Sequence, residues 1–349
     1  MIAKLWSAAR EFAARLFRRK PVEPGHFVAN SKLAWRGWLA VNPWLWPSRE
    51  YLVYVPRGYG GWRRRPLLLL LHGCRQTPED FAAATRIAAL ADSNGWLVLL
   101  PRQSSKANAW TCWNWFDKPT SAGRGEAAIV AAQIRAVRRA YRVHPRRIFA
   151  AGMSAGGCLA TVLGLRYPAL FAGVAVHSAV ACGAASGPLA AMQVLAHGAD
   201  TAVELVGASA RAAASRRALP VPLLVMHGGD DHIVSLRNAR QLVRQYLVFN
   251  GRLDAQAMAP DELPPPDGET TQQLAPGRSV TTTEYRESTR LLVRMVRVDG
   301  LGHAWSGGDA AFPYNDPQPP DATALIGAFV ADQIRWKRQR GDTRWLWQA

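Results

Sequence analysis

The chain has 349 residues, 49% of them hydrophobic, with 43 Lys and Arg against 25 Asp and Glu and a formal net charge of +18. This apolar content can bury one large core, and no stretch approaches the roughly 20 apolar residues that a membrane-spanning helix needs. The arginines are spread as Arg63 to Arg65, Arg138-Arg139, Arg146-Arg147 and Arg216-Arg217 with no nucleic-acid motif beside them, which excludes a specific nucleic-acid reader and suits a solvated surface.

At the start, Ile2, Leu5, Trp6, Ala9, Phe12, Ala13, Leu16 and Phe17 recur at helical spacing opposite a basic face, so residues 1–20 read as an amphipathic helix. Two uses stay open: an interface with a storage granule or anionic membrane, or packing on the main domain. Charges at Lys4, Arg10, Glu11 and Arg15 interrupt any signal-like apolar core, so the expected location is cytoplasmic. Residues 1–45 and 341–349 are expected to be appendages to one catalytic domain over 46–340.

Strands are expected at 51–56, 66–72 and 97–101, with helices near 79–94 and 123–141. The run Pro66 to Leu71 ends in His72-Gly73 and suits a strand buried on both faces of a parallel sheet. Arg147 to Ala151 then reads as a strand and Cys158 to Leu163 as a helix face, placing Gly152-Met153-Ser154-Ala155-Gly156 at a strand-to-helix turn. Small residues around Ser154 permit a turn sharp enough to lift its hydroxyl above the sheet.

Leu223 to Met226 leads into His227-Gly228-Gly229-Asp230-Asp231, where the spacing to Val234 favours Asp231 over Asp230 as a functional acid. A polar, proline-rich loop after Asp254 precedes an alternating strand through Val280 to Tyr285, expected to pair with Leu291 to Val298. That strand runs on to the glycine-flanked His303, and a final helix is expected near 321–338. Strands alternating with helices argue a mostly parallel sheet covered on both faces.

Nucleophile, acid and base in the order Ser154, Asp231, His303 are the order of the α/β-hydrolase fold. In that fold the backbone amides after the first buried strand and after the nucleophile form an oxyanion hole, here those of Cys74 and Ala155. The other histidines lack this context and read as strand-end or loop residues. Trp110, Trp113, Trp115, Phe116 and Trp305 fall near the predicted catalytic loops, and Trp113, Trp115 and above all Trp305 are expected to line a substrate cleft, although Trp also dominates ordinary cores. Four cysteines show no metal-site spacing, and the triad needs neither metal nor cofactor.

Leu71 to Gln76, Cys112 to Phe116, Gly152 to Gly157, His227 to Val234 and Gly300 to Gly308 together resemble the polyhydroxybutyrate (PHB) depolymerase family of esterases. The resemblance implies carboxylic ester hydrolysis through an acyl-enzyme and agrees with Ser154, Asp231, His303 and Cys74 in the roles above. The resemblance implies ester hydrolysis more firmly than a substrate; with the charged N-terminus, an intracellular PHB depolymerase is the first expectation. A feruloyl- or acetyl-xylan-type carboxylesterase is the alternative, and a non-catalytic granule or membrane binder is the third. It also raises a Cys74–Cys112 bridge, which a reducing cytosol would oppose.

Overall fold

The structure is a computed structural model that describes residues 24–30, 49–215, 218, 220–256 and 261–339. The amphipathic segment expected over 1–20 and the tail over 341–349 lie outside the described residues.

Among the described residues, ten strands form one sheet in the order β1-β2-β4-β3-β5-β6-β7-β10-β9-β8. They are β1 (His26–Asn30), β2 (Tyr51–Val55), β3 (Arg65–Leu71), β4 (Leu97–Pro101), β5 (Val143–Met153), β6 (Gly173–His177), β7 (Leu223–Gly228), β8 (Gly268–Ala275), β9 (Arg278–Glu287) and β10 (Arg290–Asp299). The six central strands from β4 to β10 are parallel, and an antiparallel pair flanks them on each side.

The leucine run of β3 follows from two-sided burial. Leu67, Leu69 and Leu71 enter one core, while Leu68 and Leu70 enter the other. Each burial contributes about 1.5–3 kcal/mol, and alternate side chains of a strand must serve opposite faces. The first core is closed by α4 (Gly125–Ala140), α5 (Ala155–Arg166) and α8 (Leu236–Asn250) through Ile134, Leu163 and Tyr246. Three further helices cover the second, α1 (Pro78–Ala84), α2 (Ile87–Asn94) and α9 (Ala322–Gln339), through Phe81, Ile87 and Phe329.

Two elements differ from expectation. The helix expected over 79–94 is broken: Thr85 turns its hydroxyl onto the Phe81 carbonyl at 2.7 Å, and Arg86 follows at φ 53°. A threonine hydroxyl competing for a helix carbonyl and a left-handed residue after it end α1 and restart the chain as α2. The added strand is present as β9, paired antiparallel to β10, but β8 on its outer side was not anticipated. Most of β8 is solvent-exposed, so its residues Gly268 to Ala275 carry no apolar alternation to read.

Candidate active site

Four loops at the carboxyl ends of the parallel strands β3, β5, β7 and β10 carry the residues singled out above. Ser154 joins β5 to α5 with φ 53° and ψ −125°, a conformation that costs an L-residue of order 1–3 kcal/mol. Its N–H donates to the His177 carbonyl at 2.9 Å, which ties the turn to the end of β6. Close approach makes the glycines necessary: a Cβ on Gly156 would lie 2.2 Å from the Leu71 carbonyl oxygen. The amino end of α5 thus packs directly against the end of β3, bringing Ala155 and the turn after His72 together.

That turn is held at nearly every polar atom. The Gln103 N–H donates to His72 Nε2 at 3.2 Å, which leaves the ring proton on Nδ1, and Nδ1–H donates to the Gly73 carbonyl at 2.8 Å. Since a trans peptide points its C=O and N–H in opposite directions, fixing the Gly73 carbonyl also fixes the Cys74 N–H. The Gly73 N–H donates to Gln76 Oε1 at 2.7 Å, and the His72 carbonyl accepts from Trp113 Nε1 at 3.1 Å. Burial pushes the His72 pKa down to about 4, so the ring is neutral at neutral pH.

A disulfide joins Cys74 to Cys112, and the Arg75 N–H donates to the Trp110 carbonyl at 2.7 Å. Gln103 and Glu126 brace this second loop. Gln103 Nε2 donates to the Cys112 carbonyl at 2.9 Å and to Glu126 Oε1 at 2.5 Å, while Glu126 Oε2 accepts from the Asn114 N–H at 2.7 Å. Burial raises the Glu126 carboxyl pKa despite these donors.

The acid and the base meet across β7 and β10. His303 Nδ1 lies 2.8 Å from Asp231 Oδ2, and Asp231 Oδ1 accepts from the Ile233 and Val234 N–H groups at 3.0 and 2.8 Å. A carboxylate only accepts, so the His303 proton sits on Nδ1 and Nε2 keeps its lone pair. Burial alone would raise the Asp231 pKa, but the His303 hydrogen bond and charge and the Val234 amide outweigh it and hold the carboxyl well below the usual range. Asp230 is exposed, and its N–H donates to the Leu301 carbonyl at 3.0 Å. The loop bearing His303 is gripped by Arg278 of β9, which donates to the carbonyls of Gly300 and Pro319 at 2.9 and 2.8 Å and reaches Asp316 at 3.0 Å.

Residues 49–263 match the family described as Esterase PHB depolymerase. The chain belongs to this family. Among its relatives, the poly(3-hydroxyalkanoate) depolymerase C of Paucimonas lemoignei is 30% identical over 58% of this chain, and the poly(3-hydroxybutyrate) depolymerase of Ralstonia pickettii 23% identical over 88%. These matches span 49% and 62% of the relatives' own lengths. A feruloyl esterase B of Thermothelomyces thermophilus is 26% identical over 56% of this chain and 69% of its own. An acetyl xylan esterase from Aspergillus awamori shares the α/β-hydrolase fold, with a TM-score of 0.61 and 19% identity over 80% of this chain and 94% of its own.

One expectation for this PHB depolymerase family member is corrected by burial. Trp113, Trp115 and Trp305 do not line a cleft, because they are 1%, 5% and 1% exposed. Trp113 supports the His72 carbonyl, and Trp305 stacks on His177 and donates to Thr323 Oγ1 at 3.1 Å. Of the aromatics named near these loops Trp110 is the exposed one, at 62%, joined by Ile233 and Tyr314 at 51% and 38%. Tyr314 meets the His303 ring edge-on at 6.2 Å between centroids. Two buried histidines behind the site, His177 and His227, are held neutral by burial, the first with its pKa pushed down to about 3. His227 Nε2 lies 2.8 Å from the Val234 carbonyl and so braces the loop that holds Asp231.

Proposed function

We propose that this family member is a serine esterase acting on hydroxyalkanoate ester bonds through an acyl-enzyme. The 2.8 Å bond between His303 Nδ1 and Asp231 Oδ2 carries this reading, since it leaves the His303 Nε2 lone pair as a proton acceptor on a loop at the same end of the parallel sheet as the Ser154 turn. In the proposed reaction Ser154 Oγ attacks the ester carbonyl carbon while His303 Nε2 takes its proton. The carbonyl oxygen gains the negative charge and receives the N–H groups of Cys74 and Ala155. Collapse breaks the ester C–O bond, with the His303 proton passing to the departing alkoxide. Water then repeats the sequence on the acyl-serine and releases the acid.

The substrate class is supported by the two depolymerase relatives and by the apolar rim of Trp110, Ile233 and Tyr314, which suits an uncharged aliphatic chain. A small-ester reading, acyl or feruloyl sugars, is supported by the feruloyl esterase relative. Release of 3-hydroxybutyrate from amorphous PHB granules, measured beside p-nitrophenyl butyrate hydrolysis and with Ser154→Ala as control, separates them. Release that vanishes in the variant supports a depolymerase; turnover of the soluble ester alone moves the substrate to small esters. Ester hydrolysis unaffected by Ser154→Ala would reject the mechanism.

On location, the Cys74–Cys112 bridge weighs against the cytoplasmic expectation, because the cytosol keeps most such pairs reduced. Thiol trapping of the two cysteines in intact cells tests this, and alkylation of both would restore the cytoplasmic reading.

A further inference from the structure

The far end of the sheet gathers a second cluster of residues. β3 and β5 both begin at the pole opposite the loops of Ser154 and His303, about 20 Å away along the strands, with Arg65 opposite Val143 in the register. The segments entering that pole, 57–65 and 138–147, contain four and five arginines and no acidic residue. They are joined there: the Arg65 N–H donates to the Arg142 carbonyl at 2.7 Å, and the Arg142 N–H to the Tyr59 hydroxyl at 2.9 Å. Arg63, Arg64, Arg138, Arg139 and Arg142 are exposed, and none forms an ion pair among the described residues.

Two further observations choose the partner. Trp62 stands in the middle of this basic segment at 89% exposure, and Phe27 is 45% exposed. β1 pairs His26 with Val55 at the end of β2, so the described chain starts at this same pole, a few residues after the basic, aromatic-rich stretch 1–20. Arginines suited to phosphate, with a projecting indole between them, match the headgroup layer of a bilayer, where Trp partitions to the interface. A nucleic-acid duplex, its bases already stacked, offers a projecting indole nothing to bury against, whereas the headgroup layer does.

We propose that this arginine pole, with Trp62 as its apolar anchor, binds an anionic phospholipid surface. The attachment is separate from the ester chemistry, and it turns the loops of Ser154, Asp231 and His303 away from the bilayer. Bound this way, the enzyme works on substrate arriving from the aqueous side.

The test is co-sedimentation of the full chain with vesicles of phosphatidylcholine alone or mixed equally with phosphatidylglycerol, across a salt series. Binding is expected to the mixed vesicles only and to fall as salt rises. Each of the double variants Arg63→Glu/Arg64→Glu and Arg138→Glu/Arg139→Glu should weaken it about 30-fold or more, and Trp62→Ser should weaken it less. Hydrolysis of p-nitrophenyl butyrate should be unchanged in all three, showing that they fold. Equal binding to neutral vesicles, or wild-type binding by both double variants, overturns the proposal. Displacement from mixed vesicles by duplex DNA at equal phosphate concentration would overturn it in favour of a nucleic-acid partner.

Discussion

The turn carrying Cys74 and the loop carrying His303 are held in different ways. Around Cys74 the restraints fall on the Gly73–Cys74 peptide and its neighbours: a disulfide, the His72 ring on the Gly73 carbonyl, and Gln76 on the Gly73 N–H. Around His303 they fall at the ends of the loop, through Arg278, while the ring has Asp231 and the edge of Tyr314. Groups that stabilise developing charge gain from being fixed in advance. A base that must take a proton from one atom and give it to another needs an orientation and some freedom about it.

The largest effect should come from breaking the histidine side at its single bond. Asp231→Asn is expected to lower kcat about 10⁴-fold, because an amide can donate and no longer enforces the Nδ1–H form; steady-state kinetics with a soluble ester checks it. On the other side, Cys112→Ser opens a 38-residue separation and should cost about 4 kcal/mol on the chain-entropy account, read by urea unfolding. If the bridge served only stability, kcat at low temperature would not move.

Arg278→Ala should cost about 3 kcal/mol by stranding the carbonyls of Gly300, Gln318 and Pro319 and the Asp316 carboxylate; Lys cannot replace the fork that reaches them all. Gln103→Ala should lower kcat about 100-fold with KM little changed, and should slow an oxygen ester more than the matching thionoester. Equal slowing of both would show that Gln103 supports the fold without positioning the Cys74 N–H.

The last prediction concerns acid. His72, His177 and His227 all have lowered pKa values in the folded protein, so the unfolded chain binds more protons below pH 6.5. Stability present above that pH should be lost progressively as pH falls toward about 4 and 3, where His72 and His177 titrate. A Tm independent of pH between 6.5 and 4 would count against their neutral burial.

Residues whose chemistry depends on neighbours in sequence were legible, and those that depend on distant contacts were not. The Ser154 turn, the β3 leucines and the Asp231 loop announce themselves through local spacing, because a sharp turn needs small residues and a two-faced strand needs an unbroken apolar run. Gln103 and Glu126 carry no such mark. Their hydrogen bonds join residues 9 to 31 apart, and only the fold brings them together. Trp113, Trp115 and Trp305 were misplaced for a related reason: closeness to a functional loop in sequence does not say which way a large ring turns.

The grip on the His303 loop also sets an order of assembly. Its far side is fastened to the first helices of the core: the Asp309 N–H donates to the Ala84 carbonyl at 2.9 Å, the Arg86 guanidinium reaches the Gly307 carbonyl, and Thr323 Oγ1 donates to the Thr85 carbonyl at 2.7 Å. These contacts close more than 200 residues of chain, and such closures are slow to form. The β3 and β5 elements can pair long before, so Ser154 should be in place while His303 is still adrift. Refolding should therefore restore the helical signal first and esterase turnover last, and a ribosome must release the C-terminal helix before the enzyme it is making can act.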